Sequence, residues 1–135
     1  MKSIVIYSSL TGNTKQVAEA ITSVLPVGTP CVSMKELPPD VSSYDLVFAG
    51  FWVDKGTANK EALDVLGILH NPHIALFATA GVPPQMAHAK ESLINAANCL
   101  PDGVEPVGTF ICQGKVDPKV IEMMYKMFPK GHSHG

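Results

Sequence analysis

At 135 residues, with 46% hydrophobic and 16% charged side chains, the chain is long enough to bury a core as one domain and too apolar to be disordered. Its net charge is −2 and all ten of its Lys and Arg positions are lysine. The lack of arginine and of a basic stripe excludes a phosphatase loop built on cysteine and arginine, a guanidinium phosphate fork, and nucleic acid as partner.

The chain opens on Ile4-Val5-Ile6-Tyr7, a buried strand. Ser8-Ser9-Leu10-Thr11-Gly12-Asn13-Thr14 follows, with four hydroxyls, a glycine, an asparagine and no charge. Thr14, Val17, Ala18, Ile21 and Leu25 then recur at helical spacing, and Pro26, Gly28 and Pro30 end that helix. An uncharged, hydroxyl-rich turn between a strand and a helix N-terminus suits a phosphate, because free N–H groups and the helix dipole both favour an anion there. The turn is not a Walker loop, since no lysine follows its glycine, nor a dinucleotide fingerprint, since it has a single glycine. The four cap-type residues exceed what one helix cap needs.

Cys31-Val32-Ser33-Met34 reads as a short edge strand, and Pro38-Pro39 as a loop. Leu46 to Gly50 is the third strand, and Ala62, Val65, Leu66 and Leu69 mark a second helix. His73 to Thr79 is the fourth strand, and Met86, Ala89, Leu93, Ala96 and Leu100 a third helix. Pro106 to Cys112 is the fifth strand, and Val120, Ile121, Met124 and Phe128 a last helix. Strands without polar alternation are buried on both faces, which predicts an α/β fold: a three-layer, doubly wound, five-stranded parallel sheet. One domain over residues 1–129 and a tail over 130–135 are expected. Ligands of such sheets sit beyond the carboxyl ends of the strands, at the switch point of strand order. Three segments meet there: Ser8–Thr14, Phe51–Asn59 and Ala80–Gln85.

Ser9-Leu10-Thr11-Gly12-Asn13-Thr14 resembles the phosphate loop of flavodoxins. Gly50-Phe51-Trp52-Val53 resembles their second flavin-contacting loop, and Ala78-Thr79-Ala80-Gly81 the start of their third. The resemblance covers nearly the whole chain and implies strand order 2-1-3-4-5. It implies that Ser9, Thr11, Asn13 and Thr14 hold the phosphate of FMN through side chains and backbone amides, with Leu10 and Gly12 adding backbone N–H groups. It implies Trp52 stacked on the flavin ring with Phe51, Val53, Lys55 and Gly56 beside it, and backbone groups of Thr79, Ala80, Gly81 and Val82 at the pyrimidine edge. Many flavodoxins carry a glycine after the stacking tryptophan, whose peptide flips to accept a hydrogen bond from reduced flavin N5. Here Val53 stands there, so that either Gly56 supplies the flip or the semiquinone is less stabilised. The usual aromatic over the outer ring face is replaced by Val82-Pro83-Pro84. Within the family the chain is most similar to the short flavodoxin-like proteins that accompany a separate reductase, of which the small partner of bilirubin reductase is one.

The function this implies is electron transfer by bound FMN between a flavoprotein reductase and an acceptor enzyme, with no catalytic residue of the chain's own. A small FMN-dependent NAD(P)H quinone-type oxidoreductase is the alternative; a binding domain that keeps the fold without flavin is a third reading. Asp54 and Lys55 are either a solvated turn or a charge pair by the ring, where Lys55 would raise the flavin potential. A phospho-acceptor domain is excluded because serines, not acids, end the first strand. His132 and His134 read as a surface tail rather than a metal site, and Cys31, Cys99 and Cys112 as reduced thiols. No apolar run approaches the roughly 18 residues that span a bilayer. No secretory signal is recognisable, and a cytoplasmic monomer is expected.

Overall fold

The computed structural model describes residues 2–10, 12–80 and 87–112. Its elements in chain order are β1 (Ser3–Tyr7), α1 (Asn13–Ser23), β2 (Cys31–Ser33), β3 (Leu46–Asp54), β4 (Thr57–Ala58), α2 (Lys60–Leu66), β5 (His73–Thr79), α3 (Ala87–Ala97) and β6 (Pro106–Cys112). Short 3-10 turns at Met34–Glu36 and Val41–Ser43 flank the Pro38-Pro39 loop. The helix expected over Val120–Phe128 and the tail over 130–135 lie outside the described residues.

The principal sheet runs β2-β1-β3-β5-β6, every pair parallel. That is the expected order once the two-residue β4, antiparallel to β3 and off this path, is set aside. Alternate residues of each central strand feed two cores. Ile4, Ile6, Val47, Ala49, Phe51, Ile74, Leu76 and Ala78 face Ala62, Val65 and Leu66 of α2 and Ala96 of α3. Val5, Leu46, Phe48, Ala75 and Phe77 face Val17, Ala18 and Ile21 of α1. Both sides of the sheet are therefore dry, which is why these strands read as continuous apolar runs.

One expectation needs correction. The third strand does not end at Gly50 but runs to Asp54, so Phe51–Asn59 is a hairpin rather than a loop. The period-two pattern simply continues: Phe51 is fully buried beside Val47 and Ala49. Val53 and Asp54 pair with Ala58 and Thr57. Lys55 (φ 53°) and Gly56 (φ 84°) both have positive φ, the two-residue turn whose twist matches a hairpin.

The amino end of the sheet is closed by side chains. The Lys2 N–H donates to Asp45 Oδ2 at 2.8 Å, and its ammonium donates to Ser43 Oγ at 2.9 Å and lies 4.5 Å from the Tyr44 ring centre. Buried Asn71 donates to the carbonyls of Val41 and Tyr44. Cys31, on β2 under α1, has its thiol pushed up by burial; the Thr22 hydroxyl pulls it down, Glu19 pushes it further up and Lys15 opposes. Because the folded thiol holds its proton more tightly than the unfolded one, its contribution to stability is present below the unfolded pKa. It is lost as pH rises through the folded one.

Candidate functional site

At the carboxyl ends of β1, β3 and β5 stand three polar links, one local and two between elements far apart in sequence. The first lies within the turn after β1. Ser9 Oγ accepts from the N–H of Gly12 at 3.1 Å and of Lys15 at 3.3 Å. The cap residue Gly12 has φ 97°, offers no side chain, and among the described residues has nothing within 4 Å of where a Cβ would stand. A helix cannot satisfy its first amides internally, and Ser9 takes only that of Lys15 within the helix. Among the described residues the N–H groups of Asn13 and Thr14 thus have no side-chain cap. No acidic residue occupies the first turn of α1.

The second link is Thr14 Oγ1 to Thr79 Oγ1, 2.8 Å apart and both almost fully buried. It ties the first turn of α1 to the end of β5. The Thr14 hydroxyl thus has a protein partner, while its amide belongs to the helix terminus.

The third link crosses from β1 to the hairpin. The buried Ser8 donates to Glu61 Oε1 at 2.5 Å and accepts from Asn59 Nδ2 at 2.8 Å. Asn59 Oδ1 accepts from the N–H of Trp52 at 3.3 Å, and the Asn59 N–H donates to the Trp52 carbonyl at 3.1 Å. At the hairpin tip, Asn95 of α3 donates to the Gly56 carbonyl at 2.7 Å.

These links place most of the anticipated residues. Ser9, Gly12, Asn13 and Thr14 come together at the start of α1, with Leu10 projecting beside them, 69% exposed. Trp52 sits opposite Thr79 in the β3–β5 register. Both continue the Phe48 and Phe77 side of the sheet, so half-buried Trp52 lies on the α1 face, where the turn opens. Ala80 follows β5 and is buried. Phe51 points to the opposite face, into the α2–α3 core, and offers the site only its backbone. Val53 is held in the β4 pairing, Lys55 is exposed at the turn, and the Gly56 carbonyl is already engaged by Asn95. Thr11, Gly81 and Val82 lie outside the described residues. Sequence reasoning missed Ser8, Asn59, Glu61 and Asn95 as partners. Asn59 is the cap residue of α2 and Glu61 stands in its first turn, but nothing in their spacing points to Ser8.

The donor set suits an anion without a counter-cation, next to a flat apolar group: backbone amides and alcohols in an uncharged turn, then an indole on the same face. Grooves among the described residues, lined by Lys2, Val27 to Pro30 and Tyr44 or by Ala97 to Pro106, lie at the other end of the strands. No group of three His, Cys, Asp or Glu among the described residues is placed to hold a metal ion. No helix among them is long and apolar enough to cross a membrane.

The model of the flavodoxin domain family matches residues 4–135. The chain belongs to that family. It is 40% identical over 119 residues to the flavodoxin-like domain-containing protein BilS of Clostridioides difficile strain CD3, covering 86% of this chain and 68% of that protein. It is 36% identical to the BilS protein of Clostridium symbiosum strain WAL-14163, covering 100% of this chain and 80% of that one. Among solved structures, the fold is similar to a flavoprotein from Lactobacillus acidophilus NCFM crystallised in complex with FMN. The TM-score is 0.64 at 18% identity, over 92% of this chain and 98% of that one. Flavodoxin-family membership accords with the parallel sheet order and with a turn, a hairpin and a strand end meeting at one edge.

Proposed function

We propose that this chain binds FMN non-covalently at the carboxyl ends of β1, β3 and β5 and carries electrons between a reductase and an acceptor redox enzyme. The observation that carries the reading is the uncharged, Ser9-braced turn at the N-terminus of α1, lying on the same sheet face as Trp52. Backbone amides of Leu10 to Thr14, with the alcohols of Ser9 and Thr11 and the Asn13 amide, would hold the phosphate. Trp52 would stack on the ring and exclude water from it, with Val53, Lys55 and Gly56 alongside. Backbone groups of Thr79, Ala80, Gly81 and Val82 would meet the pyrimidine edge. FMN supplies the redox chemistry when bound; the chain supplies position and electrostatics. The flavodoxin family, and the FMN named with the Lactobacillus acidophilus flavoprotein, support this choice of cofactor.

The acid in the described part of the site, Glu61, is taken up by its hydrogen bond from buried Ser8, which favours a carrier over an enzyme with its own substrate. The direct test is anaerobic. FMN-loaded protein mixed with NADH or NADPH is expected to keep its oxidised flavin spectrum until a catalytic amount of a flavoprotein reductase is added. Rapid bleaching by either nucleotide alone would make the chain an NAD(P)H oxidoreductase instead.

A further inference from the structure

Trp52 is the chain's single tryptophan, and its main chain is not held by the principal sheet on the β1 side. β1 stops at Tyr7, paired with Gly50 two residues earlier. Beyond that point Asn59 stands in for the missing strand. Its side-chain oxygen takes the Trp52 N–H and its backbone N–H gives to the Trp52 carbonyl, so one residue satisfies both groups.

The orientation of Asn59 is dictated by chemistry. A backbone N–H can only donate, so the atom facing Trp52 must be Oδ1, and Nδ2 must face Ser8. Ser8 Oγ therefore accepts from Asn59 and gives its only proton to Glu61. Each group from Trp52 to Glu61 thus has a defined donor–acceptor sense, and the chain of bonds ends on an acidic side chain at the first turn of α2. Ser8 is 2% exposed and Asn59 4%, so water does not substitute readily for a lost member. Ser8 also donates its own N–H to the Gly50 carbonyl at 2.9 Å, one residue before the turn that Ser9 braces.

We propose that Ser8, Asn59 and Glu61 are positioning residues: a directed hydrogen-bond relay from α2 through the end of β1 that fixes the Trp52 main chain, and so the indole plane, against the turn at α1. The inference rests on the flavin reading for its consequence, since the group positioned by Trp52 is the ring and not the phosphate. Loss of the relay therefore weakens ring binding whether or not a phosphate is attached.

The test uses the full-length protein freed of flavin, with FMN and riboflavin as probes and Trp52 emission as readout. Titrations are run well below each variant's melting midpoint. Asn59→Ala is expected to weaken both flavins by a similar factor, about tenfold, the loss of one or two buried hydrogen bonds. Its flavin-free Trp52 emission should shift to the red. Glu61→Ala, at a half-exposed position that tolerates truncation, is expected to act in the same direction. Glu61→Gln retains a carbonyl acceptor for Ser8 and should stay within about twofold of the parent. A relay that serves folding alone would lower the melting midpoint and leave both affinities and the emission unmoved, and that result overturns the proposal. So does an Asn59→Ala effect confined to FMN. A parent protein that binds neither flavin would defeat the flavin reading instead; the emission of Glu61→Ala against Glu61→Gln would still decide the relay.

Discussion

Gly12→Glu is expected to weaken FMN binding by a hundredfold or more, to about 10⁻² of the parent affinity, with a much smaller effect on riboflavin. Gly12 is the cap residue of α1, and no described residue comes within 4 Å of its missing Cβ. A carboxylate there competes for the amides of Asn13 and Thr14 and repels the phosphate. Two like charges about 4 Å apart cost about 4 kcal/mol at the effective dielectric of a protein surface, and the charge-assisted hydrogen bonds forgone add about 1.5–3 kcal/mol each. Some of that is screened, which leaves about 3 kcal/mol as a conservative figure. The φ of 97° also strains any side chain, a cost that falls on the fold whatever the substituent. Gly12→Ala carries the strain without the charge and separates the two. Fluorescence titration with both flavins measures the effect. Equal losses for FMN and riboflavin would show that the turn does not hold the phosphate.

A second large effect lies in the core, one step from the site. Gly50→Ala is expected to destabilise the protein by about 3 kcal/mol, the upper part of what overpacking costs, and to lower the melting midpoint by about 10 °C. A Cβ on Gly50 would stand 2.1 Å from two carbons of the Phe77 ring. Phe77 is fully buried in the core under α1, and its ring is rigid, so the strain cannot be relieved by a local rotamer change. The close approach also borders the candidate site. Gly50 lies on the β3 path between Phe48 and Trp52 on the α1 face, and its carbonyl receives the Ser8 N–H. Filling that place pushes β3 and β5 apart where Trp52 and Thr79 stand side by side. The double variant Gly50→Ala, Phe77→Leu should recover part of the loss. Thermal and denaturant unfolding check both, and a single variant as stable as the parent would mean that the ring does not cover Gly50.

The architecture was legible in the sequence because the physics that writes it is local. Ile4 to Ile6 and Ile74 to Phe77 lack polar alternation since both sheet faces are covered, and α1 shows its buried stripe at Thr14, Val17, Ala18 and Ile21. The end of β3 is not, because Phe51 and Trp52 have the residue types of a ligand-contacting loop as well as the alternation that continues the strand. Lys55 and Gly56 also form the turn of that hairpin through their positive φ values, which their residue types alone do not announce.

The candidate site was legible by residue type and not by direction. Four hydroxyls in one turn point to an anion, yet Ser9 is bonded within the turn and two others reach distant residues: Ser8 reaches Glu61 and Asn59, 53 and 51 residues away, and Thr14 reaches Thr79, 65 residues away. Pairings of that span leave no periodic trace, and hydroxyls in a turn serve a ligand or a neighbouring strand with equal ease. Asn95, which holds the hairpin tip from α3, is 39 residues from Gly56 and reads in sequence only as an exposed helix position.

The central claim, that an uncharged helix terminus grips the phosphate while a single indole lies against the ring, is tested most directly by amide and indole resonances of uniformly labelled protein during an FMN titration. The account predicts that the backbone amides of Asn13 and Thr14 move downfield and the Trp52 indole N–H shifts with the ring current, all saturating together at one FMN per chain. Saturation that leaves these three resonances in place while others move, or a titration that moves none, would contradict it.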